Sequence, residues 1–146
     1  MEHVAILKKS WGFTKKILDG RKTVESRWYT TKKAPWGCIK EGDIVYFKDS
    51  GEPVTIKTTV AKVERYENLN EQKVKDLLKI IHKAVGIDDR EVDNYAQLFR
   101  KKKYCILIHL KNPLGVAPFN INKKGFGLMC AWISVDSVDR IKVPVV

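Results

Sequence analysis

Apolar and polar residues follow two periods along this chain. A period of two, the mark of a strand with one face turned inward, runs over residues 22–29 and again over 103–111. In the second run Cys105, Leu107 and His109 share one face, and Ile106, Ile108 and Leu110 the other. Val, Ile, Thr and Tyr favour strands over residues 3–8, 43–48 and 54–66. A period near 3.6 occupies the middle of the chain. Val74, Leu77, Leu78, Ile81 and Val85 predict one helix, capped by Asn68 or Asn70. Val92, Tyr95, Ala96 and Phe99 predict a second, capped by Asp88 or Asp89. A short helix is expected over residues 12–19, with Phe13 and Ile17 inward and Gly20 at its left-handed end.

Turn residues divide these elements. Pro35, Gly37 and Gly42 make residues 30–42 a loop, and Asp49-Ser50-Gly51 a turn. Pro113, Gly115 and Pro118 are expected to break the stretch after residue 111, with strands resuming at 132–135 and 140–143. The early strands read as an antiparallel meander. Strands around an inserted helical pair predict an α+β fold, a small mixed β-barrel, in a single domain over residues 1–146.

The composition narrows the class. A hydrophobic share of 44% in 146 residues is enough for a core and excludes a disordered chain. No long apolar run is present, so no membrane-spanning helix is expected. Met1-Glu2-His3-Val4 does not open a secretory signal. Cys38, Cys105 and Cys130 are odd in number and form no C-x-x-C pair, which fits a reducing, cytoplasmic setting. His3, His82 and His109 are not at metal-ligand spacing with them, so neither metal nor cofactor is expected.

The net charge of +11 is concentrated. Residues 1–33 carry +6, and residues 94–124 carry +7 with no acid at all. Clustered cations attract phosphates by releasing counterions. Trp11, Phe13, Trp28 and Tyr29 are interleaved with the first cluster, with Trp36 just beyond, a pattern suited to single-stranded nucleic acid. Of the 28 bases, 22 are Lys, which reads base edges less well than Arg. The charge therefore argues for phosphate attraction, and selectivity must come from a few other residues.

Gly20-Arg21-Lys22-Thr23-Val24-Glu25-Ser26-Arg27 opens the second strand. It resembles the G-x-K-x-x-E-x-R signature of the ASCH domain family, within the PUA-like superfamily. Lys40-Glu41-Gly42-Asp43 resembles the family's G-D turn, and the likeness spans residues 4–141. The resemblance implies a PUA-like pseudo-barrel with a cleft between the short helix and the barrel. It also implies an RNA- or modified-nucleoside-binding module. One branch resembles amidohydrolases acting on N-acetylated cytidine, with a Lys, a Thr three positions later and a distant Glu. Lys22 falls on that lysine, while Glu25 stands where the branch has its threonine.

The chemistry of the motif allows two roles. Lys22 is either a fixed cation for a phosphate or oxyanion, or, if desolvated, a base or nucleophile. Glu25 and Arg27 share a strand face. They form a structural bridge, or they hold a ligand, Glu25 through an exocyclic amine and Arg27 through a phosphate or base edge. Lys22 joins that face only if the strand starts after it, a turn that Gly20 permits. The expected ligand-binding residues are Lys8, Lys9, Trp11, Lys22, Thr23, Glu25 and Arg27. Were the protein an enzyme, an amidohydrolase or a ribonuclease, Lys22 and Glu25 would be catalytic. A third reading is a protein-interaction module of transcription or translation. Trp28 is expected in the core and Trp11 as a stacking platform.

Overall fold

The computed structural model describes residues 1–127 and 129–144. Strand β1 (Glu2–Leu7) passes through a 3₁₀ turn at Lys9–Trp11 into helix α1 (Phe13–Leu18). Strands β2 (Val24–Tyr29), β3 (Ile44–Asp49) and β4 (Val54–Tyr66) follow. Helices α2 (Glu71–Ile81) and α3 (Val92–Phe99) are inserted before β5 (Tyr104–Ile121), β6 (Trp132–Val135) and β7 (Lys142–Val143). Asn70 caps α2, its side chain accepting from the Lys73 N–H at 2.8 Å. A 3₁₀ turn at Asp89–Glu91 leads into α3, and neither Asp88 nor Asp89 caps that helix.

The main sheet has the order β2-β5-β4-β3-β1-β6, with β7 against the far end of β5. This corrects the expected meander. β1 lies parallel to β3 and antiparallel to β6, and β2 pairs with β5 rather than with either neighbour in sequence. Parallel pairing needs a crossover of a dozen or more residues. The segment from the first 3₁₀ turn through α1, β2 and the loop at residues 30–42 supplies it. The result is a curled, mixed α+β sheet, the PUA-like pseudo-barrel.

Strand β5 is the second departure. It runs unbroken through Pro113, Gly115 and Pro118 to Ile121. Proline removes a backbone donor and is tolerated where one side of a strand lacks a partner. That is the situation here: β2 covers β5 only over Tyr104–His109, and β7 only at Asn120 and Ile121. Between them, among the described residues, β5 pairs with β4 alone, through register shifts that absorb the irregular residues. At the C-terminal end, a 3₁₀ turn at Val138–Arg140 shortens the strand expected over 140–143 to Lys142–Val143.

A larger apolar core lies between the sheet and the helices, built by Ile17, Trp28, Val60, Leu78, Cys105 and Ile106 among others. A smaller one packs Val4, Tyr46, Phe119 and Ile133 on the other side of the sheet. The curl brings edge strand β2 opposite the β1–β6 end without a backbone ladder between them. Arg27 spans this seam, donating to Ile6 O and to Ala131 O, each at 3.3 Å. Among the described residues no helix is long and apolar enough to cross a membrane.

Candidate functional site

The motif residues converge because β2 starts late. Gly20 adopts φ +86°, a conformation that a side chain resists, and Lys22 N–H bonds to Lys16 O at 2.9 Å. Regular pairing begins only at Val24, so Lys22 is free of strand alternation and turns toward Glu25. Its Nζ lies 3.0 Å from Glu25 Oε1 and 2.8 Å from both Val24 O and Val85 O. The ammonium also stands 4.4 Å from the centre of the Phe13 ring. An ammonium has three donors and no acceptor, and three oxygens take them. At 2% exposure Lys22 is sealed under Gly86, where a Cβ would come within 3.3 Å of it.

Glu25 joins Lys22 to Arg27. Its Oε2 accepts from Arg27 Nε at 2.8 Å, and the residue is 2% exposed. Burial alone would raise its carboxyl, but the Lys22 and Arg27 cations outweigh that and hold it below the usual carboxylate range. Burial pushes the Lys22 ammonium down from its ordinary value, against the attraction of Glu25. The Arg27 guanidinium packs on the Trp132 ring, 5.2 Å from its centre. Its side chain is 12% exposed, so it is the member of the trio that reaches the surface.

A cavity of about 180 Å³ opens beside this trio, along the seam. Glu25, Ser26 and Arg27 form its polar wall, and Trp11, Phe13, Trp28, Tyr29, Tyr95 and Phe99 its aromatic walls. Trp28 is 6% exposed and stacks on Phe99 with centres 4.9 Å apart and planes 9° from parallel. It is thus a core residue with one edge on the cavity. Trp11 is half-buried and stands edge-on to Tyr95 at 5.6 Å. The volume is below the ~300–1,000 Å³ of pockets that take drug-sized ligands. A single planar ring system fits it better than a whole nucleotide.

The other expected residues divide. Lys8 lines the cavity, its ammonium 5.8 Å from the Trp11 ring. Lys9 points away and pairs with Glu52 at 2.6 Å on the surface. Thr23 is exposed and outside the cavity wall; its backbone N–H bonds to Ala84 O and its carbonyl accepts from Leu110 N, both at 2.8 Å. Lys22 supports the wall from behind without lining it. The two basic segments meet at one end of the sheet, where Lys103 N–H donates to Tyr29 O at 2.9 Å. There the Lys32 ammonium stands 5.7 Å from the Tyr104 ring and is paired with Glu67 at 2.7 Å.

Several site residues were missed. Tyr95 and Phe99 carry the helical periodicity of a core stripe, and nothing local marks their second face as a cavity wall. His3 and Trp132 form a buried network next to the seam. The Trp132 indole N–H is 3.2 Å from both His3 Nδ1 and Ser134 Oγ. Ser134 Oγ is 2.8 Å from His3 Nδ1, and His3 Nε2 is 2.9 Å from Asp43 Oδ2. Asp43 is the acid of the G-D turn, so that turn supports the ring on which Arg27 rests. His109, on the strand face with Cys105 and Leu107, bonds through Nε2 to Glu64 at 2.9 Å. Among the described residues no group of three metal-ligating side chains comes together.

No protein-family model and no curated protein matches the chain. Solved structures do. The crystal structure of ASCH from Zymomonas mobilis superposes with a TM-score of 0.65 at 15% identity, covering 98% of this chain and 96% of its own. A point mutant of the same protein gives a TM-score of 0.67 at 15% identity, covering 95% of this chain and 93% of its own. The N-terminal domain of Staphylothermus marinus McrB gives 0.58 at 13% identity, over 95% of this chain and 90% of its own. The chain has an ASCH-like, PUA-like fold.

Proposed function

We propose that this chain is a nucleic-acid-binding module that takes one base of single-stranded RNA, or a modified nucleoside, into the seam cavity. The observation that carries the reading is the cavity itself: six aromatic rings facing a buried carboxylate–guanidinium pair. Flat apolar walls accept the faces of a base. Glu25 and Arg27 offer an acceptor and donors at one edge, the hydrogen-bonding pattern with which base edges are told apart. Each Glu25 oxygen has one cation partner and a further lone pair. The cations at Lys8 and Lys33 supply attraction for phosphates. The ASCH-like fold agrees with the fold that the Gly20–Arg27 motif's resemblance implies.

The hydrolase alternative rests on Lys22 as base or oxyanion partner. Its Nζ is held by three oxygens and does not line the cavity, so its part here is to fix Glu25. The test is fluorescence titration with single-stranded RNA at about 50 mM and about 200 mM salt. The expected result is salt-sensitive binding that Trp11→Ala weakens. Binding that ignores Trp11→Ala, or no binding at low salt, would sink the reading. Incubation with N-acetylated cytidine is expected to give no turnover.

A further inference from the structure

A second cavity, of about 250 Å³, opens on the other side of Arg27 and Tyr29. These two side chains line both cavities, so the two hollows are neighbours across one wall. The second has a different chemistry. Lys33, Cys130 and Trp132 share its lining with Arg27 and Tyr29, and none of its lining residues is acidic. Trp132 is held by its N–H on His3 and Ser134, and presents its ring to Arg27.

Donors in this wall have capacity left. The Arg27 guanidinium carries five N–H groups. One goes to Glu25, one to Ile6 O, one to Ala131 O and one to the Tyr29 hydroxyl, which leaves one. The Lys33 ammonium stands 5.1 Å from the Tyr29 ring, and among the described residues no carboxylate lies within ion-pairing distance of it. Tyr29 is half-buried, and burial raises its hydroxyl to about 12, so it keeps its proton at neutral pH and can donate. The Arg27 charge facing Glu25 is offset there, while among the described residues Lys33 has no such counterpart. A group carrying negative charge and several acceptor oxygens fits this hollow; a second apolar ring does not.

We infer that this second cavity is a phosphate subsite, which holds the phosphate of the same nucleotide whose base enters the aromatic cavity. The inference rests on the nucleotide reading above and narrows it: the ligand class is a nucleotide, free or within a strand, rather than a bare nucleoside. Arg27 then serves both halves, with Nε fixed by Glu25 on the base side and its remaining terminal N–H and its charge offered to the phosphate. Lys33 sits on the far side of Tyr29 as the second cation. A strand leaving this subsite meets the basic junction where Lys103 N–H bonds to Tyr29 O.

The test uses the four common ribonucleosides, their 5′- and 3′-monophosphates and a single-stranded RNA of about eight nucleotides. Affinities are measured by calorimetry for the wild type, Lys33→Ala and the control Lys75→Ala, which changes an exposed lysine of α2. The expected result is that a monophosphate binds roughly tenfold tighter than its nucleoside, in line with one or two charge-assisted hydrogen bonds. Lys33→Ala is expected to lose most of that gain, and Lys75→Ala none of it. The RNA arm separates sources: equal dependence on Lys33 for RNA and for a monophosphate marks one shared phosphate position. If nucleosides bind and a phosphate adds nothing, the subsite falls and the aromatic cavity stands. If Lys33→Ala and Lys75→Ala act alike, the subsite also falls. If none of the probes binds, both readings fall together.

Discussion

Lys22 Nζ and Glu25 Oε1 lie 3.0 Å apart, and neither side chain is more than 3% exposed. A buried ion pair is seldom a net gain over apolar packing, but removing one partner strands the other. Lys22→Met is therefore expected to destabilise the fold by about 3–5 kcal/mol. Lys22→Met combined with Glu25→Leu should cost less than the two single changes added together. Urea denaturation of the four proteins completes the cycle. Additive costs would show that the pair does not act as a unit.

The clustering of this trio was legible in the sequence because a glycine stands two residues before Lys22. Gly20 ends α1 and lets the strand begin at Val24, which puts Lys22 and Glu25 on one side. The α2 and α3 stripes were legible for the same reason: their periodicity is local. The parallel partnership of β1 and β3 was not, because the choice between a neighbour and a strand beyond a long crossover depends on packing alone. Pro113 and Pro118 misled because edge status is a property of the assembled sheet. Trp132 and His3 carry no motif, and only the register of Ala5 with Trp132 and of His3 with Ser134 brings them together.

Acid should loosen the seam in two stages. The Trp132 indole N–H can only donate, so His3 Nδ1 accepts and Nε2–H points to Asp43. Burial outweighs the pull of Asp43 and holds His3 below its ordinary value of 6.5. The unfolded chain thus takes up this proton first, and the stability contributed is present above pH 6.5 and lost as the pH falls through the folded value. Protonation also sets Nδ1–H against the Trp132 donor. Glu25, held below 4.5, adds a second loss beneath that pH. Denaturation midpoints at about pH 7.5, 6 and 5 check the sign. His3→Gln should flatten the first stage, whereas a wild-type midpoint that stays constant from about pH 7 to 5 would refute it.

The two tryptophans of the cavity should separate. Trp28→Ala removes a ring stacked on Phe99 and is expected to cost about 3–5 kcal/mol of stability. Trp11 is half-buried at the rim, so Trp11→Ala should change stability little. It should weaken RNA binding by about 1–3 kcal/mol, the worth of one stacked base. Equal effects of the two changes on stability would mean that Trp11 is core.

Neighbouring lysines should also behave differently. Lys8 lines the cavity, whereas Lys9 is paired with Glu52 on another face. Lys8→Ala is expected to reduce the slope of log affinity against log salt by about one, and Lys9→Ala to leave it unchanged. Matching slopes for the two variants would place the phosphate path elsewhere.

The base-accepting cavity is tested most directly by nuclear magnetic resonance of the labelled protein during titration with single-stranded RNA. The largest shifts should fall on the indole N–H groups of Trp11 and Trp28 and on Arg27 Nε–H, the groups at the cavity and its polar edge. The indole of Trp36, outside that cavity, should move less. Saturation by RNA with Trp11, Trp28 and Arg27 unmoved, or with shifts confined to the outer face of α2, would contradict the account.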